Sequence, residues 1–159
     1  MKISIVAVGK IKEKFMREGI AEYVKRLSKF CTLEIIEVED EKLPEPLTHG
    51  TEQRVKEKEA ERINEKIKSG GFVIALDVSG KKISSIELAD KLSTIMVSGK
   101  SSITFVIGGS VGFDLEFLKK VDMRLSMSDM TFPHQLARLI LLEQVYRAFK
   151  IMNNETYHK

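Results

Sequence analysis

Apolar and polar positions alternate between two regimes along this chain. Short β-branched runs are followed by longer stretches with helical spacing. Ile3 to Val8 is a compact apolar run ended by Gly9, the pattern of a buried strand. Met16, Ile20, Tyr23, Val24 and Leu27 then recur at one helical face. Thr32 to Val38 reads as a second strand, and the segment "EDEKLPEPLTHG" after it reads as an extended, exposed loop in which His49 is a solvated side chain.

Glu52 to Lys68 carries six basic and five acidic residues around a thin stripe at Ala60, Ile63 and Ile67, which predicts a solvated helix. Its charges cancel, so it makes a poor phosphate-binding stripe. Gly70 and Gly71 end it, and "FVIALDV" is a strand covered on both faces. Ser84 and Glu87 form a capping box ahead of Leu88, Leu92, Ile95 and Met96, with Gly99 closing that helix. Ser102 to Ile107 repeats the buried-strand pattern. A short helix over 114–120, a strand over 124–127 and a long terminal helix complete the chain. Strands alternating with helices predict an α/β fold, a mostly parallel sheet with helices on both faces, in a single domain.

The terminal helix departs from the amphipathic rule. Pro133 to Met152 contains 12 apolar residues in 20, and Leu139 to Leu142 cover most of the circumference. Either a second subunit buries this helix or it occupies a central place in one chain's core. Pro133 suits its first position, where a missing N–H costs nothing.

Ligands of parallel sheets bind beyond the carboxyl ends of strands, which singles out three loops. In "LDVSGKK", Asp77 is either an acid at a strand end or the start of a turn with Gly80. "VIGGSVGF" is either a cofactor loop or a tight structural turn; it lacks the P-loop lysine and does not fit G-x-G-x-x-G. "SMSDMTFPHQ" offers backbone donors suited to a purine edge or a carboxylate. His134 and Arg138 share a helical face beyond it. The tail "NNETYHK" reads as frayed, although Tyr157, His158 and Lys159 have the chemistry to stack on a base and neutralise phosphate.

A net charge of +3 with pI near 8.9 is mildly basic, permitting an RNA partner without demanding one. The single Cys31 excludes an internal disulfide and a cysteine-cluster metal site; it reads as a small buried hydrophobe in a reducing cytoplasm. The apolar run near the N-terminus is too short for a secretory or membrane segment.

"FVIGGSVGF", "LSMSDMTFPHQLARLILLEQVYRAFKIM" and the ending "YHK" closely resemble the bacterial large-subunit ribosomal RNA methyltransferase H family, of the SPOUT class of knotted methyltransferases; "MKISIVAVGKIKEKF" resembles its first strand and helix. The resemblance implies a C-terminal trefoil knot and a homodimer. It implies S-adenosylmethionine as methyl donor with no metal, and as product the N3-methylated form of a pseudouridine in 23S rRNA of the assembled 70S ribosome. By the same resemblance, cofactor contacts fall on Leu76, Gly108, Met127, Ser128, Asp129, Met130, Thr131 and Phe132. The active-site side falls on His134, Arg147, Tyr157, His158 and Lys159, with His134 or His158 assisting proton removal and Arg147 and Lys159 holding substrate. Val111 and Asp129 are small departures from the family pattern. The alternatives are a tRNA base methyltransferase of the same class and a catalytically silent ribosome-binding module.

Overall fold

The computed structural model describes residues 1–159. Five strands, β1 (Lys2–Val8), β2 (Thr32–Val38), β3 (Phe72–Lys82), β4 (Ser102–Ile107) and β5 (Met123–Ser126), form one sheet in the order β2-β1-β4-β3-β5. Every pairing is parallel. The helices are α1 (Lys14–Leu27), α2 (His49–Asn64), α3 (Ser85–Val97), α4 (Leu115–Lys120) and α5 (His134–Met152).

The alternation of side chains along β1 divides the core in two. Ile3, Ile5 and Ala7 face a cluster built with α1, α3 and α5, whereas Val6 and Val8 face a smaller one built with α2 and α4. β4 is buried at every position, as a strand covered on both faces must be.

α5 lies over β4 with α1 on one flank and α3 on the other. No residue from His134 to Met152 is exposed. The sheet and the two flanking helices account for the buried side of its apolar circumference, while Leu136, Leu139, Ile140, Ile151 and Met152 are only half-buried in the single chain.

Several boundaries differ from the sequence reading. α2 starts at His49, because Thr48 and Thr51 cap its first turn reciprocally; His49 is thus a helical residue, still exposed, and the helix ends at Asn64 rather than Lys68. Val55 and Glu59 join its buried stripe, while Ile67 lies beyond its end, half-buried against the α2 and α4 core. Pro133 is the N-cap of α5, with ψ of 139°, rather than its first helical residue. β3 continues to Lys82, with its register against β5 shifted between Leu76 and Lys81.

That irregularity contains Asp77 to Gly80. Asp77 Oδ1 accepts from the Ser79 N–H at 3.2 Å, the local bond of an Asx turn. Asp77 Oδ2 accepts from Arg124 Nε and Nη2 at 2.8 and 2.5 Å, which ties the bulge to β5. Asp77 is therefore a turn former inside β3 rather than an acid at the strand's end. Gly80 is obligatory because a Cβ there would lie 2.6 Å from the Arg124 carbonyl carbon.

Candidate functional site

Beyond the carboxyl ends of β3, β4 and β5 the three loops enclose a cavity of ≈ 600 Å³. That volume is within the range of small-molecule and cofactor sites. Leu76 and Val78 line it from β3, the segment from Gly108 to Phe113, apart from Val111, from the glycine loop, and Met127 to His134, apart from Asp129, from the stretch ahead of α5.

The glycine loop is backed by side chains. A Cβ on Gly108 would come 3.2 Å from the Phe113 ring, itself stacked on Phe117 at 5.3 Å. Gly112 has φ of +81°, a conformation that favours glycine. The loop ahead of α5 is held from within: Ser126 Oγ donates to the Ser128 carbonyl at 3.1 Å, and Ser128 Oγ accepts from the Met130 N–H at 3.0 Å.

Seven of the eight expected cofactor positions therefore lie on one cavity. The exception is Asp129, whose carboxylate turns outward to Lys82 Nζ at 2.7 Å, with its side chain 81% exposed. An exposed pair of that kind contributes little stability. Gly109, Phe113, Pro133 and Ala137 line the cavity as well.

His134 stands at the cavity edge beside β1: a Cβ on Gly9 would lie 3.5 Å from His134 Nε2. This end of α5 is anchored to the turn after β1. Gln135 Nε2 donates to the Lys10 carbonyl at 3.3 Å, and Arg138, 2% exposed, donates to the Gly9 carbonyl at 3.0 Å and to Glu37 Oε2 at 2.6 Å.

The other expected active-site residues gather elsewhere. Glu143 Oε1 accepts from Arg147 Nε at 3.0 Å, Arg147 Nη2 at 2.5 Å and Tyr157 Oη at 3.1 Å. Arg147 Nη1 lies 3.3 Å from His158 Nδ1, and its guanidinium sits 4.7 Å above the Tyr157 ring. Hydrogen bonding to Glu143 raises the Arg147 pKa, so its charge is permanent; burial raises that of Tyr157, which keeps its proton. The tail is thus docked on α5 as far as Tyr157, not frayed, while His158 and Lys159 are exposed.

His134 and Arg147 are thirteen positions apart on α5, about 20 Å at about 1.5 Å per residue. One chain does not bring the cavity and the tail cluster together. Glu143 is the anchor that sequence reading passed over, although its i,i+4 spacing to Arg147 was a usable signal.

A parallel α/β sheet with a cofactor-sized cavity over its carboxyl edge has the architecture in which α/β proteins bind their ligands. Comparison narrows the class: the family model described as "Predicted SPOUT methyltransferase" matches residues 1–158. Over the full length of both chains, the sequence is 61% identical to ribosomal RNA large subunit methyltransferase H of Acetivibrio thermocellus. It is 57% identical to the protein of that name from Clostridioides difficile strain 630 and 53% to that from Bifidobacterium adolescentis, again over full length. A solved structure of a probable methylase family protein from Haemophilus influenzae Rd KW20 superposes with a TM-score of 0.54 at 18% identity, covering 99% of this chain and 70% of that one, a likeness of fold alone. The chain belongs to the SPOUT methyltransferases, in the ribosomal RNA large subunit methyltransferase H family.

Proposed function

We propose that this protein uses S-adenosylmethionine to methylate N3 of a pseudouridine in 23S rRNA on the assembled ribosome, in the cytoplasm, as a homodimer. The observation that carries the reading is the cavity, on which Leu76, Gly108 and Met127 to Phe132, apart from Asp129, converge from three loops. Its dimensions and lining fit the cofactor. Leu76, Ile107, Leu125 and Ala137 supply apolar walls for a base, and the glycine loop lets backbone approach closely. The threading of the last segment into a knot, an exception to unknotted topology, is part of the same proposal. It is supported by β5 pairing with β3 before the chain returns to α5 over β4.

Bound at this place, the cofactor supplies a methyl group already activated on a sulfonium. The chain's own residues have two tasks: aligning the attacking nitrogen with that methyl, and lowering the cost of removing the imide proton. His134 at the cavity edge is placed to assist proton removal. Arg147, held charged by Glu143, stabilises the anion as it forms, Lys159 extends the cationic surface for RNA, and His158 beside Arg147 is the alternative to His134 for assisting proton removal. With about 20 Å between His134 and Arg147 along one helix, the complete constellation draws His134 from one protomer and the Arg147, Tyr157 and His158 cluster from its partner.

Subunit mixing tests this arrangement. His134→Ala and Arg147→Ala proteins are each expected to be inactive on 70S ribosomes. Unfolded together and reassembled, half of the dimers are mixed, each with one intact site, and about one quarter of wild-type activity returns. No recovery overturns the shared site. Tritiated methyl transfer compared across 70S ribosomes, a naked stem-loop and tRNA, with mass spectrometry of the product nucleoside, tests the substrate. A chain of net charge +3 offers few phosphate contacts, so ribosomes are expected to be far better acceptors than the naked stem-loop.

A further inference from the structure

Glu59 is a carboxylic acid where α2 should present an apolar side chain. It is 4% exposed, in the stripe with Val55, Ala60 and Ile63. Its Oε2 accepts from the Glu41 N–H at 3.0 Å, and its Oε1 has no hydrogen-bond partner. A buried acceptor left unpaired is costly, and its persistence calls for a compensating role. Burial raises the pKa of this carboxyl; Asp40 and Glu41 push in the same direction, while the Glu41 N–H bond and Arg62 oppose it.

What faces Glu59 is the glycine loop. A Cβ built on Gly109 would lie 2.8 Å from Glu59 Oε1, 3.0 Å from Oε2 and 3.1 Å from Val8 Cγ1. The carboxylate therefore occupies the place where residue 109 would carry a side chain. Gly109 does not have a positive φ, so backbone conformation admits alanine there and only this crowding forbids it. The other side of the same loop lines the cavity, to which Gly109 itself contributes.

We propose that Glu59 is a positioning residue for the cofactor loop: by filling the space behind Gly109 it sets how far the loop stands into the cavity, and so the affinity for cofactor. The proposal rests on the reading that this cavity takes S-adenosylmethionine. Glu59 touches no reacting group and acts through the backbone of Gly109.

A size-exchange cycle separates this role from general stabilisation. Gly109→Ala is expected to weaken S-adenosylmethionine binding about tenfold in calorimetry, since overpacking behind residue 109 pushes the loop forward. Adding Glu59→Ala vacates the space, and the double variant is expected to bind about as well as Glu59→Ala alone. Adding Glu59→Gln, of equal size, is expected to restore nothing. In all of these variants KM for ribosomes stays at the wild-type value. Strictly multiplicative losses in the Gly109→Ala, Glu59→Ala cycle overturn the proposal. Amide hydrogen exchange of residues 108–112 in the ligand-free protein gives a readout independent of the cofactor: Glu59→Ala is expected to accelerate it, and unchanged exchange overturns the proposal. Wild-type protein that does not bind S-adenosylmethionine overturns the cofactor reading instead and leaves the exchange measurement to decide the role of Glu59.

Discussion

Tyr157 donates its hydroxyl to Glu143 across 3.1 Å, and the same carboxylate oxygen receives Arg147. One acid thereby fixes both a catalytic candidate and the chain's terminal segment. Tyr157 also meets Tyr146 edge-on at 4.9 Å, so the tail is packed as well as bonded.

Removing only the hydroxyl separates those contributions. Tyr157→Phe is expected to cost about 1 kcal/mol, a fall of about 2–4 °C in thermal midpoint for a chain of this size. Tyr157→Ala is expected to lower the midpoint further, because the Tyr146 contact and the cation over the ring go too. Glu143→Ala frees both partners and is expected to reduce methylation more than Tyr157→Phe does. Equal midpoints for Tyr157→Phe and Tyr157→Ala would deny the packing role.

Arg138 gives an unusual ranking. Its side chain is 3% exposed and its partner Glu37 39% exposed. Deleting the outer partner leaves the inner charge uncompensated, so Glu37→Ala is expected to cost about 1–3 kcal/mol, more than an ordinary surface change. Arg138→Met removes the buried charge together with its unpartnered Nε and is expected to cost less. Urea unfolding of the two variants decides the order.

Gly80→Ala drives a methyl group against backbone, since the Arg124 carbonyl oxygen lies 2.7 Å from the Cβ position. Neither strand can yield cheaply. The expected loss is about 1–3 kcal/mol by denaturant titration, with weaker cofactor binding because Leu76 and Leu125 on these strands line the cavity.

Burial pushes the Cys31 thiol up to about 11. Its folded value is raised, so it contributes stability that is present below the ordinary thiol range and lost as pH rises through the folded value. Alkylation by iodoacetamide at neutral pH is expected to be slow in native protein and fast after denaturation. Rapid native labelling near pH 7 would contradict the shielding.

Periodicity located the strands and helices because each obeys its own spacing, and Leu88, Leu92 and Ile95 on α3 are buried as their pattern demands. It left α5 between a core helix and a subunit contact, because a hydrophobic pattern says how much of a helix is covered and not by what. The start of α2 was misplaced because the Thr48 and Thr51 cap has no acidic third residue to announce it. Resemblance supplied the cavity positions, but composition could not foresee that Asp129 turns outward to Lys82, nor that Glu59, one acid among five in a solvated-looking helix, is buried behind the glycine loop.

The bond from Arg138 to the Gly9 carbonyl joins residues 129 positions apart. Because β1 is an interior strand of the sheet while α5 and the cavity's last wall come at the far end of the chain, a ribosome making this protein must release almost all of it before the cavity exists. Long-range closure of this kind slows folding, and the unfinished sheet waits with its apolar face open to solvent. Nascent chains truncated before α5 should therefore depend on chaperones, and newly made protein should gain its cofactor site only as the final helix settles into place.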